Sequence, residues 1–233
     1  MQTPFTFFGT PAQYIATRAP DLPILFFSPI ALRKRLNLFE RGFEGLVTYA
    51  VKANDSVEVI ENLSMSGLGT FDVASPAEMM RVGSLCPNAV LHYNNPVRSI
   101  GEIQTGVQAN VVSWSVDCAG ELDKLIAYGA QGEVAVRLHL PVGGSAYNFG
   151  EKFGANPQQA VALLRRVAQA GFQAAMTFHV GTQCNDHSAW ATYIHACRDI
   201  ADRAGVSLAR LNVGGGFPAH RVGDAPNLEA MFK

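Results

Sequence analysis

Short apolar segments alternate along this chain with segments in which apolar residues recur at the spacing of one helix face. The first clear pair is the strand-like run 46–51, followed by Val57, Ile60 and Leu63 at helical spacing. The same order returns six times, and the further predicted strands are Thr70–Ala74, Ala89–Asn94, Asn110–Val116, Glu133–Leu140, Ala174–Val180 and Leu208–Val213. This alternation predicts right-handed βαβ units and a parallel sheet.

Small polar residues mark the beginnings of several predicted helices, because their side chains can cap the first helical turn. The predicted caps are Ser28, Ser75, Asn95, Asp117 and Asn156, and four of these five precede a proline. Ser75 and Glu78 also have the spacing of a capping box. A further helix is predicted from about Ser188 to Ala204, and Leu228–Phe232 predicts the beginning of a helix after the seventh strand.

Seven strand–helix steps favour a (β/α)8 barrel of the TIM type. An open doubly wound sheet is the alternative, but no Gly-x-Gly-x-x-Gly motif follows an early strand. Barrels of this type typically need about 250 residues, whereas this chain has 233. We therefore expect a barrel that lacks its last strand in this chain. Residues 1–23 are predicted to be a leader segment and residues 24–233 the barrel domain, with Ile24–Phe27 as a short strand.

Composition argues against several classes of function. The chain is 48% hydrophobic and 16% charged with a formal net charge of -1, and no basic stripe favours nucleic acid or an anionic membrane as partner. No apolar run is long enough to span a bilayer, and the N-terminus lacks the pattern of a secretory signal. Four scattered cysteines indicate a reduced, cytoplasmic compartment and neither a disulfide framework nor a metal site.

Lys52 follows an apolar strand directly and is the first candidate for chemistry. Strand alternation places Thr48, Ala50 and Lys52 on one face and apolar residues on the other. Burial disfavours a charged ammonium, and a neutral amine is a nucleophile towards carbonyls. We interpret Lys52 as a Schiff-base lysine, with a lysine whose stem snorkels at a strand end as the alternative.

Polar side chains also share one face of the later predicted strands, opposite a row of apolar residues. The members of this polar row include Asp72, His92, Asn94, Arg137, His139, Thr177 and His179. In a parallel barrel the active site lies at the carboxyl ends of the strands, where such side chains meet a ligand. Ordinary structural roles remain open, since Asp72 and Arg137 can pair inside the barrel and His92 and His139 can be satisfied interior histidines. Glu78 already has a role as the capping partner of Ser75.

Two strand exits carry groups that suit a phosphate. His179-Val180-Gly181-Thr182-Gln183 combines an imidazole, a small turn and a hydroxyl, and Gly214-Gly215-Gly216 exposes consecutive backbone N–H groups. Barrels commonly bind phosphate after strands seven and eight, although a flexible glycine turn is the alternative. A phosphate-anchored cofactor together with a Schiff-base lysine indicates pyridoxal phosphate. Earlier in the chain, the predicted strand Glu133–Leu140 is followed by an unusually long loop through Gly143, Gly144 and Gly150.

The chain resembles a known family at this point. The motifs that carry the resemblance are Tyr49-Ala50-Val51-Lys52-Ala53-Asn54, Phe71-Asp72-Val73-Ala74-Ser75 with Glu78, Lys152-Phe153-Gly154, His179-Val180-Gly181-Thr182-Gln183 and Asn212-Val213-Gly214-Gly215-Gly216-Phe217-Pro218. They are similar to those of the pyridoxal-phosphate-dependent ornithine, diaminopimelate and arginine decarboxylases of the alanine-racemase fold type. The Phe-Asp-Val-Ala-Ser and Gly-Gly-Gly-Phe-Pro segments resemble the ornithine branch most.

The resemblance implies a role for each motif. Lys52 would form the Schiff base, His179 would stack on the pyridine ring, and Thr182 with Gly214 to Gly216 would hold the phosphate. Thr182 stands where the family more often has serine, and the hydroxyl is kept. Asp72, Glu78 and Arg137 would lie near the ring and the lysine. The family's eighth-strand glutamate and the cysteine of its C-terminal β domain, which acts largely across a dimer interface, have no counterpart in these residues.

The resemblance therefore implies decarboxylation of a basic amino acid, with L-ornithine to putrescine as the expected reaction in polyamine synthesis. We expect the full-length protein to be a homodimer and these 233 residues alone to be inactive. Lysine, arginine, diaminopimelate and carboxynorspermidine remain alternative substrates. A non-catalytic relative that binds the cofactor is a further alternative, and so is a Schiff-base aldolase barrel whose lysine works without a cofactor.

Overall fold

The computed structural model describes residues 8–141, 152–220 and 226–232, and its seven strands form one parallel sheet in chain order. The strands are β1 Tyr49–Ala50, β2 Thr70–Val73, β3 Val90–Tyr93, β4 Ser113–Val116, β5 Glu133–Arg137, β6 Gln173–Thr177 and β7 Arg210–Asn212. A sheet of consecutive parallel strands separated by helices is a partial (β/α) barrel, as predicted. The glycines of the long loop, Gly143, Gly144 and Gly150, lie outside the described residues.

Nine helices lie within the described ranges. They are α1 Pro11–Arg18, α2 Pro29–Gly42, α3 Val57–Met65, α4 Pro76–Leu85, α5 Ile100–Gln108, α6 Ala119–Ala127, α7 Pro157–Gln169, α8 Ser188–Ala204 and α9 Leu228–Met231. Three of the predicted caps are confirmed, because the side chains of Ser28, Ser75 and Asn156 each accept a hydrogen bond from the backbone N–H three residues later. The local polar residues therefore set where these helices begin.

One expectation about the N-terminal region is wrong. Ile24–Phe27 is not a strand: it has no ladder partner among the described residues, and Leu25 is 98% exposed. An isolated extended segment gains no stability from strand pairing, whatever its β propensity. The leader instead contains helix α1, which Thr10 caps by accepting from the N–H of Gln13 at 3.1 Å.

Two predicted caps are also wrong. Helix α5 begins after Ser99, which forms a closed capping box with Glu102, and not after Asn95. Helix α6 begins after Cys118, because the Asp117 carboxylate accepts instead from the backbone N–H of Gly154 at 3.1 Å. A distant hydrogen bond has replaced the local one at Asp117.

The alternation of two faces along the strands is confirmed. On one face, which packs under the helices, the side chains of Phe71, Trp114, Val134, Val136 and Met176 are fully buried. The other face, here called the inner face, carries the polar row. Its members stand side by side across neighbouring strands, with Asp72 opposite His92, Arg137 opposite Thr177 and Thr177 opposite Asn212.

Arg98 joins the carboxyl ends of β3 and β4. Its guanidinium donates to the carbonyl of Asn95 at 2.8 Å and to that of Ser115 at 2.5 Å, and it lies over the rings of Tyr93 and Trp114. The residue is only 2% exposed. Burial lowers the pKa of the guanidinium, and the Glu121 carboxylate is the strongest influence in the opposite direction. Arg98 thus holds two strand exits at a fixed separation.

Replacing Arg98 with methionine tests this clamp. Arg98→Met keeps an apolar stem over the aromatic rings but leaves the carbonyls of Tyr93, Asn95 and Ser115 without this donor, and we expect the free energy of unfolding to fall by about 3 kcal/mol. Arg33→Met, on the exposed face of α2, is the control and should change it by less than about 0.5 kcal/mol. Equal losses in urea titrations of the two variants would contradict the clamp.

His92 lies on the inner face as a half-satisfied interior histidine. Its Nδ1 is 2.7 Å from the Ser113 hydroxyl, whereas Nε2 has no hydrogen-bond partner among the described residues. His139 likewise has a buried Nδ1 without a partner there, so the expectation of fully satisfied histidines is wrong for both. Burial, with a smaller contribution from Arg210, lowers the pKa of His92 to about 4.

This lowered pKa makes stability depend on pH. The unfolded chain binds a proton at His92 below about 6.5, while the folded chain binds one only below about 4. The contribution of His92 is therefore complete above pH 6.5 and is lost as the pH falls towards 4, by up to about 3 kcal/mol. His92→Gln should reduce the rise in unfolding free energy between pH 4 and 6.5, and His195→Gln, at an exposed position of α8, should not. Identical pH profiles for the wild type and His92→Gln would refute this account.

Candidate functional site

Lys52 lies in a single 3-10 turn, Val51–Ala53, that follows β1 directly. The turn is closed by a hydrogen bond from the Asn54 N–H to the carbonyl of Val51 at 3.1 Å, and the Tyr49 hydroxyl donates to the carbonyl of Asn54 at 3.0 Å. The expectation of a buried strand-end lysine is wrong, because the turn ends the strand one residue before Val51 and leaves Lys52 exposed. The Lys52 amine is therefore accessible to a ligand, while the backbone that carries it is held in place by the closed turn.

Asp72 lies on the inner face of β2, and the charges of Lys52 and Glu78 and the side chain of Asn94 all act on its carboxyl group. Burial raises its pKa to about 6, against the opposing influence of the Lys52 ammonium. The side-chain amide of Asn94 donates to Oδ1 of Asp72 at 3.2 Å. The carboxyl group therefore changes its charge close to neutral pH, beside the one amine that the sequence singles out.

Glu78 begins α4 but does not close the predicted capping box. Its backbone N–H donates to the Ser75 hydroxyl at 3.3 Å, as expected. Its carboxylate reaches one residue further back than the box requires, and accepts from the N–H of Ala74 at 2.8 Å. Glu78 thus ties the end of β2 to the first turn of α4, and its charge raises the pKa of Asp72 slightly.

Arg137 ends β5 on the inner face. Its guanidinium lies 5.0 Å from the centroid of the Phe153 ring. Burial lowers the pKa of Arg137, and the carboxylates of Asp117 and Asp72 act in the opposite direction. Among the described residues Arg137 and Asp72 form no ion pair within 4.0 Å, so the two side chains influence each other without the direct pairing that was the structural alternative.

His179 follows β6 and presents a neutral ring. The Gly181 N–H donates to Nδ1 at 3.0 Å, which assigns the proton of the neutral imidazole to Nε2. Burial, the Lys52 ammonium and the Arg137 guanidinium together lower the pKa of His179 to about 4. Both charges act on the His179 ring, so Lys52 and Arg137 lie within electrostatic range of it.

The triple glycine follows β7 and packs against the exit of β6. Gly214 has φ +70° and Gly216 has φ +90°, and a Cβ on either would collide with a backbone carbonyl oxygen, of Phe178 and of Gly181 respectively. Gly215 lies outside the left-handed region, and a Cβ there would be 3.6 Å from Nε2 of His179. The glycines therefore allow a contact between two backbones that no other residue permits at the first and third positions.

One of the three N–H groups expected to form an anion nest is already occupied. The Gly214 N–H donates to Oδ1 of Asn212 at 2.9 Å, which closes a local turn around the strand end. At most Gly215 and Gly216 can then offer N–H groups to a ligand from this turn. The predicted nest is thus smaller than the sequence indicated.

Thr182 lies within the loop that faces this glycine turn. Gly181 packs against Gly216, and the Cys184 N–H donates to the Gly216 carbonyl at 2.9 Å. Thr182 stands between these two contacts and is half-buried. The structure therefore brings Thr182, the glycine turn and His179 together, as the sequence predicted.

Two asparagines of the site received no role from the sequence. Asn94 was placed in the polar row and Asn212 in a motif, but neither spacing nor parity indicates which acceptor or donor an amide will meet. The structure shows that the Asn94 amide donates to Asp72 on the neighbouring strand, whereas the Asn212 side chain accepts from the Gly214 N–H in the turn after its own strand. In the described residues no group of three or more His, Cys, Asp or Glu is placed to hold a metal ion. Over the same residues, no helix has the length and apolar character needed to cross a membrane.

The glycine turn provides a test by substitution. Gly214→Ala introduces both a positive-φ strain and a collision with the Phe178 carbonyl, and we expect it to lower the free energy of unfolding by at least about 2 kcal/mol. Gly215→Ala, one residue away, should lower it by less than about 1 kcal/mol because its neighbouring space is open to a methyl group. Denaturant unfolding of the two variants decides the point, and the reverse order of stability would contradict this description of the turn.

Comparison with known proteins assigns this chain to a family. The family model described as "Pyridoxal-dependent decarboxylase, pyridoxal binding domain" matches residues 31–232. The chain is 33% identical over 199 residues to the ornithine decarboxylase of Panagrellus redivivus, which covers 79% of this chain and 46% of that protein. It is 34% identical over 178 residues to the lysine/ornithine decarboxylase of Selenomonas ruminantium, covering 74% and 45%. Antizyme inhibitor 2 of Xenopus laevis is 30% identical over 176 residues, covering 73% and 38%.

Solved structures agree with this assignment. The lysine decarboxylase of Selenomonas ruminantium superposes with a TM-score of 0.83 at 28% identity, covering 97% of this chain and 61% of that one. A structure described as SrLDC in complex with PLP and cadaverine superposes with a TM-score of 0.80 at 28% identity, covering 99% and 60%. The chain spans about half the length of the relatives it matches in sequence. It belongs to the family of pyridoxal-dependent decarboxylases, within their pyridoxal binding domain.

Proposed function

We propose that this chain is the cofactor-binding barrel of a decarboxylase that converts L-ornithine to putrescine, with Lys52 as its Schiff-base lysine. The observation that carries the proposal is the position of Lys52, an exposed amine on a closed turn whose charge reaches both Asp72 and His179. Family membership supplies the cofactor, pyridoxal phosphate. Because the matched relatives are about twice as long as this chain, the activity, substrate and partners of the whole protein belong to the proposal.

The residues present fit pyridoxal phosphate at three points. A primary amine is available for the aldehyde at Lys52. A ring that remains neutral above about pH 4, His179, suits stacking on a pyridine ring, since no cationic charge then opposes a protonated pyridine nitrogen. The N–H groups of Gly215 and Gly216, with Thr182 in the facing loop, would supply donors for a phosphate.

The remaining charged residues would set the electrostatics around the amine. Asp72 would accept a hydrogen bond from the Lys52 ammonium. Because its pKa is raised to about 6, the carboxylate would become neutral when the pH falls only slightly below neutral. Glu78 would keep the end of β2 in place through the Ala74 N–H. Arg137 would add a fixed positive charge that keeps His179 neutral.

The chemistry that pyridoxal phosphate supplies when bound is an electron sink for the pair left on the α-carbon as carbon dioxide departs. Lys52 would hold the cofactor, give way to the substrate amine, and return after the reaction. His179 and the glycine turn would hold the ring and phosphate ends in one orientation, so that the bond to the carboxylate can be aligned. The roles proposed for these residues concern the cofactor and not the side chain of the amino-acid substrate. The substrate is therefore proposed from the relatives.

Ornithine is the proposed substrate because relatives named ornithine decarboxylase match the chain at 29% to 33% identity. Lysine is the second candidate, since a lysine/ornithine decarboxylase matches at 34%. A non-catalytic function has support of its own from the match to an antizyme inhibitor at 30%. The retention of Lys52, His179 and the glycine turn favours the enzyme over that alternative.

Further properties of the whole protein are part of the same proposal. We infer a homodimer in the cytoplasm that takes part in polyamine synthesis, with residues 24–233 as the cofactor-binding domain. The four cysteines are free thiols, which suits a reducing compartment. We also infer that these 233 residues alone do not turn over substrate, and release of carbon dioxide by this chain alone would contradict that inference.

Absorbance tests the cofactor assignment. Pyridoxal phosphate added to the purified protein should produce a new band at the edge of the visible spectrum, and Lys52→Ala should remove it. Lys34→Ala, at an exposed lysine of α2, is the matched control and should keep the band, because only the site lysine joins the cofactor. A band of equal strength in Lys52→Ala would contradict the assignment of Lys52.

The substrate is tested separately with the longest natural form of the protein. Release of labelled carbon dioxide from carboxyl-labelled ornithine, lysine, arginine and diaminopimelate should be fastest with ornithine. A higher kcat/KM for lysine would replace ornithine by the second candidate. No release from any of the four, with the absorbance band present, would favour the non-catalytic alternative.

A further inference from the structure

Two consecutive asparagines join the exit of β3 to the exit of β2. The Asn94 side-chain amide donates to Oδ1 of Asp72 at 3.2 Å, and the Asn95 side-chain amide donates to the backbone carbonyl of Ala74 at 3.4 Å. Because successive residues of an extended chain face opposite ways, one amide binds the acid of the inner face and the other binds backbone. The two side chains form a natural matched pair, since they share a residue type and a half-buried setting but differ in the group they meet.

The backbone that carries Asn94 is held in place from both sides. The Arg98 guanidinium donates to the carbonyl of Asn95 at 2.8 Å and reaches the carbonyl of Tyr93 at 3.4 Å. On the side of β2, Glu78 binds the N–H of Ala74, whose carbonyl Asn95 contacts. The Asn94 amide is therefore directed at Asp72 by a fixed frame, and its position does not depend on a mobile side chain alone.

The groups around Asp72 act on its charge in opposite directions, and burial has the largest effect. Burial favours its neutral form, and so does the Glu78 carboxylate on α4. The Lys52 ammonium after β1 favours the ionised form, as do the side-chain amide and the backbone N–H of Asn94 on β3. Arg137 on β5 also lies within electrostatic range of Asp72. Because the pKa of Asp72 is about 6, the loss of one hydrogen-bond donor changes the ionised fraction of its carboxyl group near neutral pH.

We propose that Asn94 is a positioning residue that acts through Asp72, holding its carboxylate ionised and turned towards the Lys52 ammonium. This inference deepens the proposed function and rests on it for the role of Lys52. The Asn94 side chain hydrogen-bonds to Asp72 and would act on the lysine through that carboxylate. The effect of the Asn94 side chain is transmitted by one hydrogen bond, in addition to that of its backbone N–H, and it sets the pH range in which Lys52 has an anionic partner.

The direction of the effect follows from the hydrogen bond. A donor to a carboxylate stabilises the charged form, so removing the donor raises the pKa. A hydrogen bond to a charged group corresponds to a shift of about one pH unit, and the backbone N–H of Asn94 remains in a side-chain variant. The titration midpoint of Asp72, about 6 in the wild type, should therefore move up by about one unit and not further.

Titration of the carboxyl carbon by NMR measures this in the protein without cofactor. Asn94→Leu is close to asparagine in size and cannot donate, and its Asp72 resonance, identified as the one missing from Asp72→Asn, should titrate about one unit higher than in the wild type. Asn95→Leu is the matched control and should leave the Asp72 midpoint unchanged, because that amide binds the Ala74 carbonyl. Asn94→Ala provides the same test if the leucine variant does not fold.

A second readout separates this inference from the proposed function. With pyridoxal phosphate present, the acidic limit of the absorbance band should move up by the same amount in Asn94→Leu and not in Asn95→Leu. An unmoved Asp72 midpoint in Asn94→Leu, or an equal shift in Asn95→Leu, overturns the role of Asn94 even if the wild type binds the cofactor. A band that does not depend on Lys52 overturns the proposed function, and with it the link from Asp72 to the lysine.

Discussion

The pairing of seven parallel strands in chain order is the constraint on which the rest of the structure depends. Parallel strands end at one edge of the sheet, and their side chains alternate between two faces, so residues far apart in sequence meet there. Asp72, Arg137 and Thr177 come together on the inner face for this reason, and the turn after β7 packs against the exit of β6. A one-residue slip in register would turn these polar side chains towards the helices and break the site.

Burial and nearby charge then give the groups of the site different electrostatic properties. Desolvation lowers the pKa of His179 and raises that of Asp72, so the histidine is neutral and the aspartate is close to half-ionised near pH 6. Lys52, exposed at the edge of this region, acts on both of them. The arrangement places a neutral ring, an acid with a pKa of about 6 and an accessible amine within one neighbourhood.

Sequence reasoning succeeded where a local pattern determines structure. The strand–helix alternation, the caps at Ser28 and Asn156 and the position of the glycine turn all follow from neighbouring residues. It failed where a distant partner decides: Asp117 caps no helix because Gly154 takes its carboxylate, and Ile24–Phe27 has no strand to pair with among the described residues. The partner of the Asn94 amide depends on how strand exits meet in three dimensions, which no spacing in the sequence encodes.

We propose that Lys52 is the residue that binds the cofactor covalently. The most direct measurement is to add pyridoxal phosphate, reduce the protein with borohydride, digest it and locate the pyridoxyl group by mass spectrometry. We expect the label on the peptide containing Lys52, at close to one per chain. Label spread over the exposed lysines of the surface, with no excess at Lys52, would contradict it.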